Sequence, residues 1–368
     1  IRANKKLIDL LIKCHLEPHM IDQAPTRVNI VLRGEKLIVK GKKVKKTGEE
    51  IDYTQDKQYK KLLPTINKLR QDMCAYNNLI RRTFIAIPHF PKKGIQTRNQ
   101  KRRIRINHSK NFITRIFNDG SFKRGGRYYG GWWTRLPSSW RKRIRINDHK
   151  VVEVDYSGIH IVMLYALKGI DYWQTVNKDP YDISGIDYWQ TVNKDPYDIS
   201  GIEHSETMRK LMKVILLSSI NAVNKGKARK AILYEINIEQ KEEFYDWYKN
   251  SNIDINKIMD SFVKFHEPIK DMFFSNMGIE LQYADSRMAE IIINYFTKKE
   301  IPVLCVYDSF IIELKHKSEL IEKMHEAFRE IMREFYRGKD YITSQIKIEE
   351  KDRMDEKKRR IELKLDRG

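Results

Sequence analysis

Residues 301–314 read IPVLCVYDSFIIEL. The apolar run is interrupted once, at Tyr307-Asp308-Ser309, and β-branched and aromatic residues stand on both sides of the break. This pattern predicts two strands meeting at Tyr307-Asp308. A second run, VVEVDYS at 151–157, is short, apolar and ends in polar residues, as a central strand does. Asp155 and Asp308 thus each fall at a strand end. Alone, an acid in such a place reads as a turn residue or a helix cap. Together on neighbouring strands, the two carboxylates would hold divalent cations against phosphate. Mg²⁺ takes one or two carboxylates and draws its other ligands from water and phosphate oxygens.

Composition bounds what surrounds these strands. The chain has 368 residues, with 71 Lys+Arg against 49 Asp+Glu, a formal net charge of +22. At roughly 100–200 residues per domain this suggests two or three structural units. Aromatics make up 11%, too many for a disordered basic tail. No run approaches the ~20 apolar residues of a membrane span. Cys14, Cys74 and Cys305 form neither a metal-binding spacing nor an even disulfide set. A disulfide scaffold, a zinc module and a membrane protein are excluded as readings. A reducing, cytoplasmic setting (bacterial or phage-infected cell) is expected, and no signal peptide is visible after Ile1. The charge is clustered in Lys40–Lys46, Arg98–Arg105 and Arg141–Arg145. The last two blocks alternate basic and apolar residues like an edge strand. They flank a Gly- and aromatic-rich segment, a combination suited to nucleic acid. A solvated basic surface is the plainer alternative.

Outward from the two strands, the pattern divides the chain into five parts. Residues 1–54 form an N-terminal accessory module, with a helix over 4–16 and short strands over 27–53. Residues 55–110 are helical to about Thr83 and then loop-like and basic. Residues 111–165 carry the Gly and Trp cluster and the Asp155 strand. Residues 166–280 are mostly helical, and 281–368 carry a helix, the Asp308 strands and a C-terminal helix over about 317–336. The stretch GIDYWQTVNKDPYDIS occurs twice in tandem, at 169–184 and 185–200. Identical copies read either as a recent duplication or as an error in the recorded sequence.

The helix predicted over 205–223 places Arg209, Lys213, Leu217 and Asn221 on one face by their i, i+4 spacing. Such a cationic stripe near two carboxylates would grip a triphosphate. An ordinary solvated face has the same spacing, but the apolar run VILLSSI after Lys213 implies a largely buried helix.

These residues resemble the family A DNA polymerases. VDYSGIH looks like motif A, the Arg209–Lys213–Leu217–Asn221 series resembles motif B, and VYDSF resembles motif C. Gly126-Arg127 is similar to the template–primer contact that precedes motif A. All stand in the family's order over roughly residues 111–320. The resemblance implies an α+β right-hand polymerase with an antiparallel palm sheet, helical fingers and a reduced thumb at 55–110. It implies two Mg²⁺ ions (Mn²⁺ as a substitute) on Asp155, Asp308 and the Tyr156 carbonyl. Lys213, counted with the two aspartates as catalytic, and Arg209 would hold the triphosphate, with Tyr156, His160, Leu217 and Asn221 completing the nucleotide site. DNA primer–template and nucleoside triphosphates are the implied partners, with a helicase or primase as a further replication partner. Nucleic-acid contacts are expected from Arg127, Trp132, Trp133, Arg135, Arg141, Gln282 (or Asp285 on the same helix) and Tyr307. For the tryptophans, core packing is nearly as good a reading.

The sequence departs from the family in three places. His160 replaces the usual Glu of motif A, Asn221-Ala222 replaces Tyr-Gly, and Asp308-Ser309 replaces Asp-Glu. Asp-Ser resembles single-subunit phage RNA polymerases, so RNA or primer synthesis is the alternative to DNA synthesis. An inactive nucleic-acid-binding subunit is the second alternative. No 3′–5′ exonuclease signature is evident before motif A, which implies a polymerase lacking proofreading.

Overall fold

A computed structural model describes residues 29–40, 43–91, 93–96, 103–172, 204–238, 248–250, 254–335 and 348–350, with Lys13, Tyr245 and Ile346. The tandem repeat beyond Tyr172 and the N-terminal helix expected over 4–16 lie outside the described residues, apart from Lys13. The fold is mixed α+β with two sheets.

The first sheet has the order β2-β1-β4-β5, from Ile30–Lys40 (β1), Lys43–Glu50 (β2), Ile113–Asn118 (β4) and Ser121–Gly130 (β5). β1 joins β4 in parallel over Ile30–Leu32 alone, and beyond that it pairs only with β2. β4 alternates buried and half-buried residues, Ile113, Arg115 and Phe117 pointing inward. The β4–β5 hairpin turns at Asp119-Gly120, both in the left-handed region, and Asn118-Asp119-Gly120 carries the turn signal in the sequence.

The second sheet bears both aspartates. Its order is β3-β6-β7-β9-β8, with β10 on β7, and every pair is antiparallel. The strands are Ile85–Ala86 (β3), Arg145–Ile146 (β6), His149–Tyr156 (β7), Val303–Val306 (β8), Ser309–Glu313 (β9) and Ile348–Glu350 (β10). Every residue of β8 and β9 is buried, so the hydrophobic run shows no alternation. β8 lies at the sheet edge, where outward carbonyls would invite pairing with another chain. Two side chains close that edge: Tyr76 Oη donates to Val303 O at 2.8 Å, and Trp133 Nε1 donates to Cys305 O at 3.0 Å.

The helices are α1 (Leu63–Arg82), α2 (Ile159–Leu167), α3 (His204–Asn221), α4 (Lys225–Ile238), α5 (Ile255–Phe265), α6 (Gly278–Lys298) and α7 (Lys317–Phe335). α6 packs against β5, β8, α1 and α7 and so ties the two sheets together. Its inward face is Leu281, Met288, Ile292 and Phe296, with Asp285 in the same row. α5 starts at Asp254, whose carboxylate accepts from Asn256 N at 2.8 Å.

The basic block Arg141–Arg145 differs from the expected edge strand. It runs from the end of a single helical turn, Ser138–Arg141, through a turn into β6, because Ile144 is buried and Arg141 is drawn inward by an acid.

Candidate active site

Antiparallel register decides the geometry of the aspartates. Asp155 on β7 stands opposite Ser309 on β9, and Val306 stands opposite Ser309 across the β8–β9 turn. Asp308 occupies that two-residue turn with Tyr307, one residue from the partner of Asp155. Asp155 and Asp308 are both half-buried. Tyr307 has φ 59°, a left-handed conformation that a bulky residue adopts at a cost of roughly 1–2 kcal/mol. Local strain beside a carboxylate is a recurrent property of functional turns.

A polar network underneath fixes this turn. Ser309 Oγ donates to Glu153 Oε1 at 3.0 Å and lies 3.1 Å from Val306 O. Glu153 is buried and receives both arms of Arg141, Nε at 2.9 Å and Nη2 at 2.8 Å. This bidentate pair compensates a carboxylate that would otherwise be costly to bury. Arg141 is therefore a buttress of the Asp308 turn, and its expected contact with nucleic acid is corrected. The acid inside the apolar run VVEVD was the sequence signal for such a partner. Trp132 and Trp133 are also corrected. They are 3% and 0% exposed, and Trp132 Nε1 donates to Asn111 Oδ1 at 2.7 Å, so neither ring is open to stack on a base.

The charge of Asp308 also acts on a largely buried Arg127–Asp285–His160 cluster. Arg127 Nε donates to both oxygens of Asp285 at 3.1 Å, and Nη2 donates to Oδ2 as well. His160 Nε2 lies 3.0 Å from the same Oδ2 and 3.3 Å from Arg127 Nη2. Burial works against the Arg127 charge, yet the facing Asp285, with a contribution from Asp308, raises its pKa above the ordinary guanidinium value. Burial, helped by the charge of Asp308, likewise pushes the Tyr156 phenol and the Cys305 thiol upward. The Tyr156 hydroxyl is turned into the core, donating to Met324 O at 2.6 Å. Of the two residues expected near the primer on α6, Gln282 is half-buried and Asp285 meets Arg127.

Two backbone features hold the cluster. Gly158 (φ 62°) makes the turn from β7 into α2, placing His160 in the first helical turn after Asp155. Gly126 (φ 77°) lets β5 approach α6: a Cβ there would meet the Phe117 ring and Ser286 Oγ at 2.8 Å. Buried Arg115 braces the same spot, donating to Gly126 O at 2.8 Å and to Glu290 Oε2 at 2.7 Å.

α3 buries Leu211, Met212, Ile215, Leu216 and Ile220 and leaves Lys213, Leu217 and Asn221 exposed along one face. The side chain of Arg209 lies outside the described residues. Asn221 Nδ2 donates back to Leu217 O at 2.7 Å, and its side chain abuts Gly278 at the start of α6. The end of this helix is thereby joined to the helix that carries Asp285. Tyr307 is 37% exposed, stacks edge-on with Tyr129 at 5.8 Å and lies under the Arg127 guanidinium at 5.9 Å. Arg135 is exposed on the face of the first sheet.

Among the described residues no group of three or more His, Cys, Asp or Glu forms a ready metal centre. Two carboxylates beside a register-paired turn fit a hard cation that completes its shell with substrate oxygens. Among the described residues no helix is long and apolar enough to cross a membrane.

No family model and no curated protein matches this chain. Among solved structures, the POL domain of Pol1 from M. smegmatis, in complex with DNA primer-template and dNTP, is similar over 66% of this chain. The identity is 11% and the TM-score 0.33, and the match spans 48% of that chain. Likeness of this degree assigns no role to any residue here.

Proposed function

We propose that the chain is a template-directed nucleotidyltransferase with a right-hand architecture, most simply a primer-dependent DNA polymerase. The observation that carries this reading is the convergence of Asp155 and Asp308 across β7, β9 and β8, beside Arg127, in a chain of net charge +22. In this reading the second sheet with α6 and α7 is the palm, α3, α4 and α5 are the fingers and α1 stands in the reduced thumb. Asp155 and Asp308, with the Tyr156 carbonyl, would hold Mg²⁺ or Mn²⁺. Such ions supply charge stabilisation for an in-line phosphoryl displacement and a more acidic nucleophile. Arg209 and Lys213 hold the triphosphate and offset charge as pyrophosphate leaves. Arg127, fixed by Asp285, orients the nucleic acid near the reacting end, and His160 borders the incoming sugar. Most of the catalytic effect is positioning, which the Ser309–Glu153–Arg141 network serves by fixing the turn.

The Asp308-Ser309 pair raised RNA synthesis as an alternative. The Ser309 hydroxyl is turned to Glu153, so it gives no preference between sugars. Primer extension with Mg²⁺, using deoxynucleotides or ribonucleotides on DNA and RNA templates, tests the proposal. Extension that disappears in Asp308→Asn is expected. Absence of extension in every lane would reject it, and retained tight binding would then favour the inactive binding subunit.

A further inference from the structure

The half-exposed face of the first sheet holds a cavity of about 570 Å³. Its charged lining is Arg33, Lys110 and Arg135 against a single acid, Glu50, and its rings are Phe112 and Tyr129. Arg33 and Glu50 are register partners on β1 and β2, so one cation is offset locally and two remain in excess. Arg33 and Tyr129 line the same cavity, a cation and a ring on its wall. Tyr129 shares its sheet face with Arg127 two residues earlier, and its ring meets Tyr307, the neighbour of Asp308. The cavity therefore adjoins the aspartate turn. Its volume falls in the range of small-ligand sites, room for about one or two nucleotides and too little for a duplex.

Resting on the nucleotidyl-transfer reading, we infer that this cavity seats unpaired nucleotides of a single strand next to the catalytic turn. Arg33, Lys110 and Arg135 meet its phosphates, and Phe112 and Tyr129 offer ring faces to its bases. Cations that follow the backbone and rings that stack on any base bind a single strand without reading its sequence. Arg135 thereby keeps the nucleic-acid role expected from the sequence, while the neighbouring tryptophans lose it to the core.

The test is equilibrium binding of a fluorescein-labelled oligothymidylate in EDTA, without nucleotides, over a series of salt concentrations. The Lys110→Gln/Arg135→Gln double variant should bind roughly tenfold more weakly at low salt. Its log–log salt slope should fall by about 1.4, since each lost single-strand phosphate contact is worth about 0.7. A 4-thiothymidine oligonucleotide should crosslink, under near-UV light, to the peptides containing Phe112 and Tyr129. An unchanged slope and affinity in a variant with the parental circular dichroism melt would overturn the inference, as would crosslinks confined to other peptides. Primer extension by the parent chain reads the catalytic assignment separately. Extension together with unaltered variant binding rejects only the cavity. Weakened variant binding without parental extension leaves a single-strand site and rejects the catalysis.

Discussion

Two hairpins of the molecule are built in contrasting ways. β8 and β9 are joined by two residues, buried along their whole length and closed at the edge by Tyr76 and Trp133. β1 and β2 run as a ribbon over Arg33–Lys40 and Lys43–Glu50, joined to the rest of its sheet by the Ile30–Leu32 pairing and by Gly120 N–H donating to Arg33 O at 2.8 Å. The first carries a carboxylate that must be held in place. The second carries a block of lysines, in a register that sets Lys40 opposite Lys43. Fixed geometry and accumulated charge are thus assigned to different hairpins.

Breaking the first hairpin's chemistry should give the largest effect. Asp155→Asn or Asp308→Asn should lower primer extension about a thousandfold or more while leaving DNA affinity intact or higher, read by single-turnover kinetics and anisotropy. Unchanged extension would remove the aspartates from the mechanism.

Arg141→Ala should come next. It leaves Glu153 buried without its bidentate partner and should cost about 3–5 kcal/mol in urea unfolding. A loss under 1 kcal/mol would show that the network does not brace the turn.

Gly126→Ala should cost about 2 kcal/mol, since the new Cβ must adopt a positive φ and displace Phe117 or Ser286. Its extension should fall more than that of a surface control, because Arg127 moves with it.

Alkali should act on the core through its buried phenols. Burial pushes Tyr165 up to about 12, from an ordinary value near 10. The folded state then holds the proton more tightly than the unfolded one. Its contribution, about 2 kcal/mol, is complete below pH 10 and is lost as pH rises through 12. A denaturant midpoint that stays flat across that window would contradict the burial.

The smallest effect belongs to the ribbon. Lys43→Gln should change stability by less than about 0.5 kcal/mol in urea unfolding. A larger loss would make the ribbon a structural element in its own right.

In the second sheet β7, β8 and β9 were readable in the sequence because they are short apolar runs with one polar break, and the aspartates mark the breaks; the short β3 and β10 carry no such pattern. The β4–β5 hairpin was missed although Asn118-Asp119-Gly120 signals its turn, since the flanking residues mix arginine and glycine with the apolar ones. The parallel β1–β4 pair joins residues more than 80 apart and leaves no local trace. Site chemistry divided in the same way. Asp155 and Asp308 could be named from pattern, whereas Arg127–Asp285 and Arg141–Glu153 are pairings that only the folded chain brings into contact. Trp132 and Trp133 show the limit of composition: aromatic and basic residues interleave equally well in a binding groove and in a sealed sheet edge.

Tyr307 sets two selections against each other. A glycine at its positive φ would relax the turn, so variants sorted by heat resistance should accumulate Tyr307→Gly. Variants sorted by nucleotide incorporation should keep the ring that bridges Tyr129 and Arg127. One codon would then record which demand a lineage has answered, durability of the fold or the ring contacts beside the aspartate turn.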